Sequence, residues 1–162
     1  AALFGASIEW LNLAGVVLKC QRINQAIEPI AVYTDLSAFK LYMGDVGLLT
    51  MKSGISQQTV LSGEGNTFMG ALTENYVAQQ LAAKGYDLYY WESSSTAELD
   101  FVLQKGNQII GVEVKKGEHV RSRSLSVFVS NYKPAYSIRL SLKNFGEKDG
   151  LKSVPLYAVF CV

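Results

Sequence analysis

The sequence ELDFVLQKGNQIIGVEVK, residues 98–115, decides the fold because it predicts a β-hairpin. Apolar and polar residues alternate on both sides of residues 105–107, whose Lys-Gly-Asn sequence is typical of a tight turn. If the turn closes at its centre, Asp100 lies opposite Glu113. Side chains alternate between the two faces of a strand, so Lys115 shares the face of Glu113 and Asp100. On the opposite face we expect apolar side chains covered by a helix: Leu99, Phe101, Leu103, Val112 and Val114.

Helices and further strands are predicted around this hairpin. Apolar residues at three- and four-residue spacing predict a long helix over residues 66–84, and a second helix is expected from about 122 to 132. The segment LYYWE, residues 88–92, predicts a strand before the hairpin. Two final strands are predicted at AYSIRLS, residues 135–141, and PLYAVFC, residues 155–161. This order predicts an α/β or α+β fold in which helices pack against a sheet.

The first 65 residues predict a less regular arrangement. A short helix that ends near Gly15 and the strand VVLKCQRI, residues 16–23, have the character of the end of a preceding domain, so we expect a fragment of a longer protein. Residues 24–37 predict a linker or wing-like loop, which an extended segment and a short helix follow. The stretch 53–65, rich in Gly, Ser, Gln and Thr, is the best candidate for a domain boundary.

The composition excludes several classes of protein. A chain of 162 residues with 49% hydrophobic side chains can bury a core of single-domain size. There is no run of about 18 apolar residues and no basic leader sequence, so we expect a cytoplasmic protein without a membrane span. The net charge of +1 neither supports nor excludes a nucleic-acid partner. Cys20 and Cys161 predict free, buried thiols, and the lone His119 has no partner at the spacing of zinc ligands.

The polar side chains of the hairpin predict a metal site. Two carboxylates that face each other across a sheet repel unless something neutralises them, and a divalent cation would do so. Asp100 and Glu113 are therefore the expected ligands of Mg²⁺ or Mn²⁺, with Lys115 beside the metal to orient a water or stabilise charge on a phosphate. Glu74, on the long helix, is the expected fourth catalytic side chain. The alternative interpretation is a solvated hairpin face, with Lys115 as a counter-ion and Glu74 exposed.

A basic cluster follows the second strand of the hairpin. Lys116, His119, Arg121 and Arg123 are the candidate residues for holding the phosphate backbone of a substrate. The alternative is that these charges are only the solvated start of a helix.

Four segments resemble a known family: FKLYMGDVGLL (39–49), FMGALTENYVAQQL (68–81), YYWESSSTAELDFVLQ (89–104) and GVEVKKG (111–117). They are similar to the C-terminal domain, labelled as of unknown function, of bacterial and archaeal AAA-type P-loop ATPases. That domain resembles the PD-(D/E)XK nuclease superfamily, so the resemblance implies a restriction-endonuclease-like sheet flanked by helices. Position by position, it assigns the helix glutamate to Glu74, the motif aspartate to Asp100, the second acid to Glu113 and the lysine to Lys115. Leu99 stands where the superfamily's name expects a proline.

The resemblance also implies a domain order. Residues 1–37 would be the remnant of a winged-helix segment, residues 38–65 a connecting strand, short helix and loop, and residues 66–162 the nuclease-like domain. The ATP-binding motif G-x-x-x-x-G-K-[ST] does not occur, so we expect the ATPase portion to be missing from this chain and to be its partner in the full protein.

Three functions remain open from the sequence. The first is a magnesium-dependent nuclease-like domain that hydrolyses phosphodiester bonds in DNA. The second is a non-catalytic module that binds nucleic acid or protein for the ATPase, and the third is a structural or oligomerisation domain. The sequence does not give the oligomeric state, and a fold alone does not establish a function.

Overall fold

The computed structural model of the protein describes residues 4–62, 68–93, 97–117 and 123–162. Its five α-helices are α1 (Gly5–Leu13), α2 (Val46–Ser53), α3 (Gln57–Ser62), α4 (Phe68–Ala83) and α5 (Arg123–Tyr132). Its eight strands are β1 (Val17–Ile23), β2 (Thr34–Met43), β3 (Tyr89–Glu92), β4 (Glu98–Lys105), β5 (Gln108–Val114), β6 (Ser137–Ser141), β7 (Gly146–Lys148) and β8 (Leu151–Pro155). Two short 3₁₀ helices lie at Ile30–Tyr33 and Leu156–Cys161.

All eight strands form one mixed sheet in the order β2-β1-β3-β4-β5-β6-β8-β7. The pairs β1–β3, β5–β6 and β6–β8 are parallel, and the other neighbours are antiparallel. Helices pack on both faces of the sheet. The predicted α/β class, a mixed sheet flanked by helices, is therefore confirmed.

Each face of the sheet has its own apolar core. On one face, helix α4 contributes Val77, Ala78 and Leu81, which pack with side chains of the central strands: Tyr90, Phe101, Leu103, Ile110, Val112, Ile138 and Leu140. On the other face, helix α5 contributes Leu125 and Phe128, which pack with Ile23, Tyr89, Trp91, Leu99 and Val102. Neighbouring strand residues such as Tyr89 and Tyr90 thus lie in different cores, as strand alternation requires.

The central hairpin has the predicted register. Phe101 pairs with Val112 and Lys105 with Gln108, so a two-residue turn joins β4 to β5. Gly106 has a φ of +58°, and glycine at the first position of a two-residue turn adopts this conformation without steric cost.

Because β4 contains a bulge, the predicted assignment of its side chains to the two faces of the hairpin was wrong in part. Tyr89 pairs with Val102 but Trp91 pairs with Leu99, so Asp100 and Phe101 together lie opposite the single residue Tyr90. The extra residue interrupts the alternation. Leu99 consequently packs in the α5 core instead of sharing the face of Phe101. Both faces of the hairpin are core, rather than one core face and one polar face.

Several predicted elements differ from the structure. The segment PLYAVFC forms a 3₁₀ helix, and the strand ends just before it, at Pro155. Cys161 is exposed on that 3₁₀ helix, whereas Cys20 is a buried free thiol in β1 as predicted. The segment predicted as a wing-like loop contains a 3₁₀ helix, and β2 already starts at Thr34. Part of the predicted boundary, residues 63–65, lies outside the described residues.

The amino-terminal segment joins the same sheet. Strand β1 pairs with both β2 and β3, and the predicted boundary between residues 37 and 38 falls inside β2. Helix α1 buries none of its residues, and Trp10 is 76% exposed. The assignment of residues 1–37 to a winged-helix remnant stays a prediction.

None of the helices in the described parts of the chain combines the length and apolar character that crossing a membrane requires.

Gly111 of β5 provides a stability test of the α5 face. A Cβ atom at this position would lie 2.8 Å from two ring carbons of Phe128 and 2.9 Å from Cδ2 of Leu99, all of them in the fully buried core. We expect Gly111→Ala to lower the free energy of unfolding by about 1–3 kcal/mol because the core has no room for the methyl group. Urea denaturation measures this loss.

Gly70→Ala is the matched control for this substitution. Gly70 lies in α4, where an added Cβ meets no atom within 4 Å. Alanine is the better helix former, so this change should be neutral or stabilise by up to about 1 kcal/mol. Equal effects of the two substitutions would show that α5 does not pack on β5 as described.

Candidate functional site

The bulge in β4 places the carboxylate of Asp100 at the open end of the hairpin. Its Oδ2 accepts a hydrogen bond from the backbone N–H of Val114, at 2.7 Å, where the β4–β5 ladder has ended. The pKa of Asp100 is raised to about 7, mainly by burial and also by the nearby carboxylates of Glu74 and Glu113, whereas the Val114 N–H and Lys40 lower it. Asp100 is therefore an acid whose charged form is disfavoured both by burial and by two neighbouring carboxylates.

Glu113 is the buried acid of the site, with only 2% of its surface exposed. Val112, the preceding residue of this regular strand, packs in the α4 core, so the side chain of Glu113 projects from the other face of the sheet. Two cations lie beside it: Nζ of Lys115 is 3.2 Å from Oε1, and Nε of Arg139, its register partner on β6, is 3.9 Å from Oε2. The prediction that Glu113 and Lys115 lie together on one face of β5 agrees with this contact.

Glu74 reaches the site from α4. Its Oε1 accepts hydrogen bonds from Nζ of Lys40, at 3.1 Å, and from the hydroxyl of Tyr42. Lys40 also forms an ion pair with Glu98, the first residue of β4. Burial lowers the pKa of Lys40, but Glu74 and Glu98 together raise it above its usual value, so this lysine is charged. Glu74 is therefore held by residues of β2 and is not a freely solvated helix glutamate.

Sequence reasoning missed Lys40, Tyr42 and Arg139. Lys40 and Tyr42 are two residues apart on β2 and face α4, and Arg139 lies on β6. Each is far from the hairpin in sequence. The only signal for the first two was their place in the segment FKLYMGDVGLL, which resembles the family without indicating a role.

The predicted basic cluster is only partly described. Lys116 is exposed just after β5, and Arg123 is exposed as the first residue of α5. His119 and Arg121 lie outside the described residues. Their role as a phosphate-binding cluster stays a prediction.

The donor set of the site fits a magnesium ion. Asp100, Glu113 and Glu74 offer the hard carboxylate oxygens that Mg²⁺ prefers, and this ion keeps several waters, so it needs few protein ligands. Glu74 and Glu113 both raise the pKa of Asp100, and a cation bound to Asp100 would offset their repulsion. Within the described residues, no three His, Cys, Asp or Glu side chains are grouped closely enough to hold a metal ion, so the ion would have two protein carboxylates and water as its ligands.

Comparison with known proteins places these elements in a family. The family described as "Domain of unknown function (DUF4143)" matches residues 69–159, which include α4, the hairpin and β6. Uncharacterized protein Mb2031c of Mycobacterium bovis and Uncharacterized protein Rv2008c of Mycobacterium tuberculosis are each 38% identical to the chain over 79 residues. This stretch covers 48% of the chain and 18% of each relative, so the chain spans only a small part of their length. No solved structure matches the chain significantly.

Proposed function

We propose that this chain, which belongs to the DUF4143 family, is a nuclease-like domain that hydrolyses phosphodiester bonds in DNA with Mg²⁺ or Mn²⁺. The place of Asp100 carries the proposal: it lies at the end of the hairpin, near enough to Glu74 and Glu113 for both to raise its pKa, and the Glu113–Lys115 pair lies at the same end. An acid whose pKa is raised by burial and by neighbouring carboxylates, as that of Asp100 is, is typical of functional sites. A merely solvated hairpin face would leave these side chains in water.

Each residue of the site would have its own role in hydrolysis. Asp100 and Glu113 would hold the metal ion, which supplies a water of lowered pKa and a positive charge for the phosphate oxygens. Lys115, 3.2 Å from Glu113, lies where its ammonium group can donate to a phosphate oxygen and stabilise the charge that develops there. Lys40 and Tyr42 both donate to one oxygen of Glu74. Its second oxygen would therefore be the one that orients the water. The Val114 N–H keeps the carboxylate of Asp100 at a fixed place.

We further propose the wider context that the sequence resemblance implies. The chain would be the C-terminal, PD-(D/E)XK-like part of a cytoplasmic AAA-type P-loop ATPase, and the ATPase portion would deliver or select its DNA. The place of Glu74 supports this, because the resemblance assigns this residue to a helix and Glu74 lies on α4. DNA as substrate and an ATPase as partner are both part of this proposal.

Metal binding is the first test, and calorimetry measures it directly. Titration of Mg²⁺ and of Mn²⁺ into the chain at pH 7.5 should show binding in the micromolar to millimolar range. Asp100→Asn and Glu113→Gln should each weaken it at least about tenfold, because each removes one anionic ligand and keeps the shape of the side chain. Glu147→Gln, a change of an exposed acid on β7, is the control that should leave binding unchanged. No binding at about 10 mM metal would contradict the proposed function.

A non-catalytic DNA-binding module is the second candidate, and the ion pairs of the site favour it. Lys40 already pairs with Glu74 and Glu98, and Lys115 and Arg139 already lie beside Glu113, so cations of the chain itself balance much of the acidic charge. Such a module should bind DNA with an affinity that falls steeply with salt and survives Asp100→Asn. The nuclease should instead lose cleavage with this substitution.

A further inference from the structure

A pocket lies beside Glu113 of the acidic site. It has a volume of about 430 Å³ and is located between helix α5 and the strands β6 and β8. Leu125 and Val129 of α5 and Leu151 of β8 form apolar walls, and Ser137 and Arg139 of β6 also line it. Arg139 connects the pocket to the acidic site, because its guanidinium is 3.9 Å from Glu113. The pocket lies within the size range of small-molecule sites.

Two donors in the pocket wall have no acceptor. Nε of Arg139 and Oγ of Ser137 are buried, and neither has a hydrogen-bond partner within the described parts of the chain. Ser137 is 1% exposed, and the side chain of Arg139 is 16% exposed. The two residues are two positions apart on β6 and therefore project from the same face of the sheet. The nearest printed acceptor to Nε of Arg139 is Oε2 of Glu113, which at 3.9 Å is beyond hydrogen-bond distance. Buried polar groups are nearly always satisfied, so Arg139 and Ser137 leave room in the pocket for a ligand that accepts from both.

The charges around the pocket favour an anion as that acceptor. Glu113 is the carboxylate nearest to Arg139, but Lys115 is paired with it as well, so two cations share one buried acid. Asp149 also lines the pocket, but it is exposed, and water and salt screen its charge. Of the two charged side chains that line the pocket, the cation Arg139 is the more buried one. The planar guanidinium of arginine matches the geometry of phosphate oxygens better than a lysine would.

We propose that this pocket binds a phosphate group, held by Arg139 and Ser137, with the apolar walls against the adjoining sugar or base. The pocket then fixes a nucleotide next to the acidic site. That this nucleotide belongs to the DNA substrate rests on the proposed function. Phosphate binding itself does not, since it involves neither Asp100 nor a metal ion.

The test uses the whole chain without metal, in EDTA at pH 7.5 and constant ionic strength. NMR of ¹⁵N-labelled protein follows the Nε–Hε signal of Arg139 while inorganic phosphate is added. We expect a saturable shift of this signal, and Arg139→Met and Ser137→Ala should weaken the affinity by at least about tenfold and severalfold, respectively. Arg22→Met removes the same charge from a guanidinium that Asp35 and Glu92 already occupy, and it should leave the affinity unchanged.

Three further measurements keep the result interpretable. Arg139→Lys retains the charge beside Glu113 and protects the fold, and it should still bind phosphate more weakly than the native chain because it loses the planar fork. Asp100→Asn should bind phosphate as tightly as the native chain, so loss of metal binding and loss of phosphate binding are separate outcomes. A 5′-phosphorylated single-stranded oligonucleotide that binds more tightly than thymidine 5′-monophosphate assigns the phosphate to DNA, whereas equal affinities assign it to a free nucleotide. An Arg139 signal that does not move at about 50 mM phosphate, or equal binding by Arg139→Met, overturns the proposal.

Discussion

Asp100→Asn should make the metal-free protein more stable above pH 7 while abolishing metal-dependent cleavage. In the folded state the pKa of Asp100 is raised to about 7 by burial and by its acidic neighbours, from 3.8 in the unfolded chain. As the pH rises from about 4 to 7, Asp100 therefore keeps its carboxyl proton in the folded protein and loses it in the unfolded chain. Stability from this group is fully present below the unfolded pKa and is lost as the pH rises through the folded pKa.

Asparagine is neutral at every pH, so Asp100→Asn removes the cost of burying a charged carboxylate above pH 7, and its amide oxygen still accepts from the Val114 N–H. At pH 8.5 we expect Asp100→Asn to raise the free energy of unfolding on the order of 2 kcal/mol, allowing for the partial exposure of Asp100. At pH 4 the two proteins should differ little. Urea denaturation in EDTA at several pH values measures the difference.

Bound metal should make the native chain more stable than Asp100→Asn. An ion that binds only the folded native protein stabilises it by mass action, and a variant without the ligand gains nothing. Cleavage of a DNA substrate should fall at least about a hundredfold in the variant, because the group that holds the metal is lost. Glu147→Gln, on the exposed strand β7, is the control with no expected change in either property. A variant that is destabilised at high pH, or that still cleaves, would contradict the role given to Asp100.

The hairpin with its acids was predictable because its determinants are local. The turn at Gly106 and the alternation of Gln108–Val114 lie within a few residues of the positions that they organise. The register of the turn then follows from its length, and it brings the ends of β4 and β5 together. The helix with Glu74 was predictable from its apolar spacing in the same way.

The rest of the site depends on contacts distant in sequence, and no local pattern indicates them. The bulge at Asp100 is a mismatch between β3 and β4, so only the pairing of two strands defines it. Lys40 is 34 positions from Glu74 in sequence, and it becomes a partner because β2 lies at the edge of the sheet under α4. The last segment, PLYAVFC, has a composition typical of strands, and its position after β8 under α4 overrides that propensity.

Phe128→Ala should cause the largest loss of stability among changes outside the site. Phe128 is fully buried on the inner face of α5, in a T-shaped contact with Trp91 at a centroid distance of 5.5 Å and in a tilted contact with Tyr132 at 5.0 Å. Removing a buried phenyl ring costs about 3–5 kcal/mol, because the transfer energy is lost and a cavity remains. A domain of this size has a total stability of about 5–15 kcal/mol, so the variant will be close to unfolding.

The Phe128→Ala measurement is sharpest in a Trp10→Phe background. The chain has two tryptophans, and Trp10 is exposed on α1, so this background leaves Trp91 as the only tryptophan, and its fluorescence reports on the α5 core. Val129→Ala changes the next residue of the same helix, which is 40% exposed, and should cost less than about 1 kcal/mol. Equal losses for the two substitutions would mean that Phe128 does not pack as described.

The same variant tests whether the α5 core supports the metal site. Phe128 lies over Gly111 and Leu99, which are two residues from Glu113 and one residue from Asp100. If this packing holds the ends of β4 and β5 in place, Phe128→Ala should weaken metal binding at temperatures where the protein is still folded. Phe128→Leu, which fills most of the cavity, should restore metal affinity along with stability. Metal affinity that stays native in Phe128→Ala would show that the bulge and the Val114 hydrogen bond position Asp100 without help from α5.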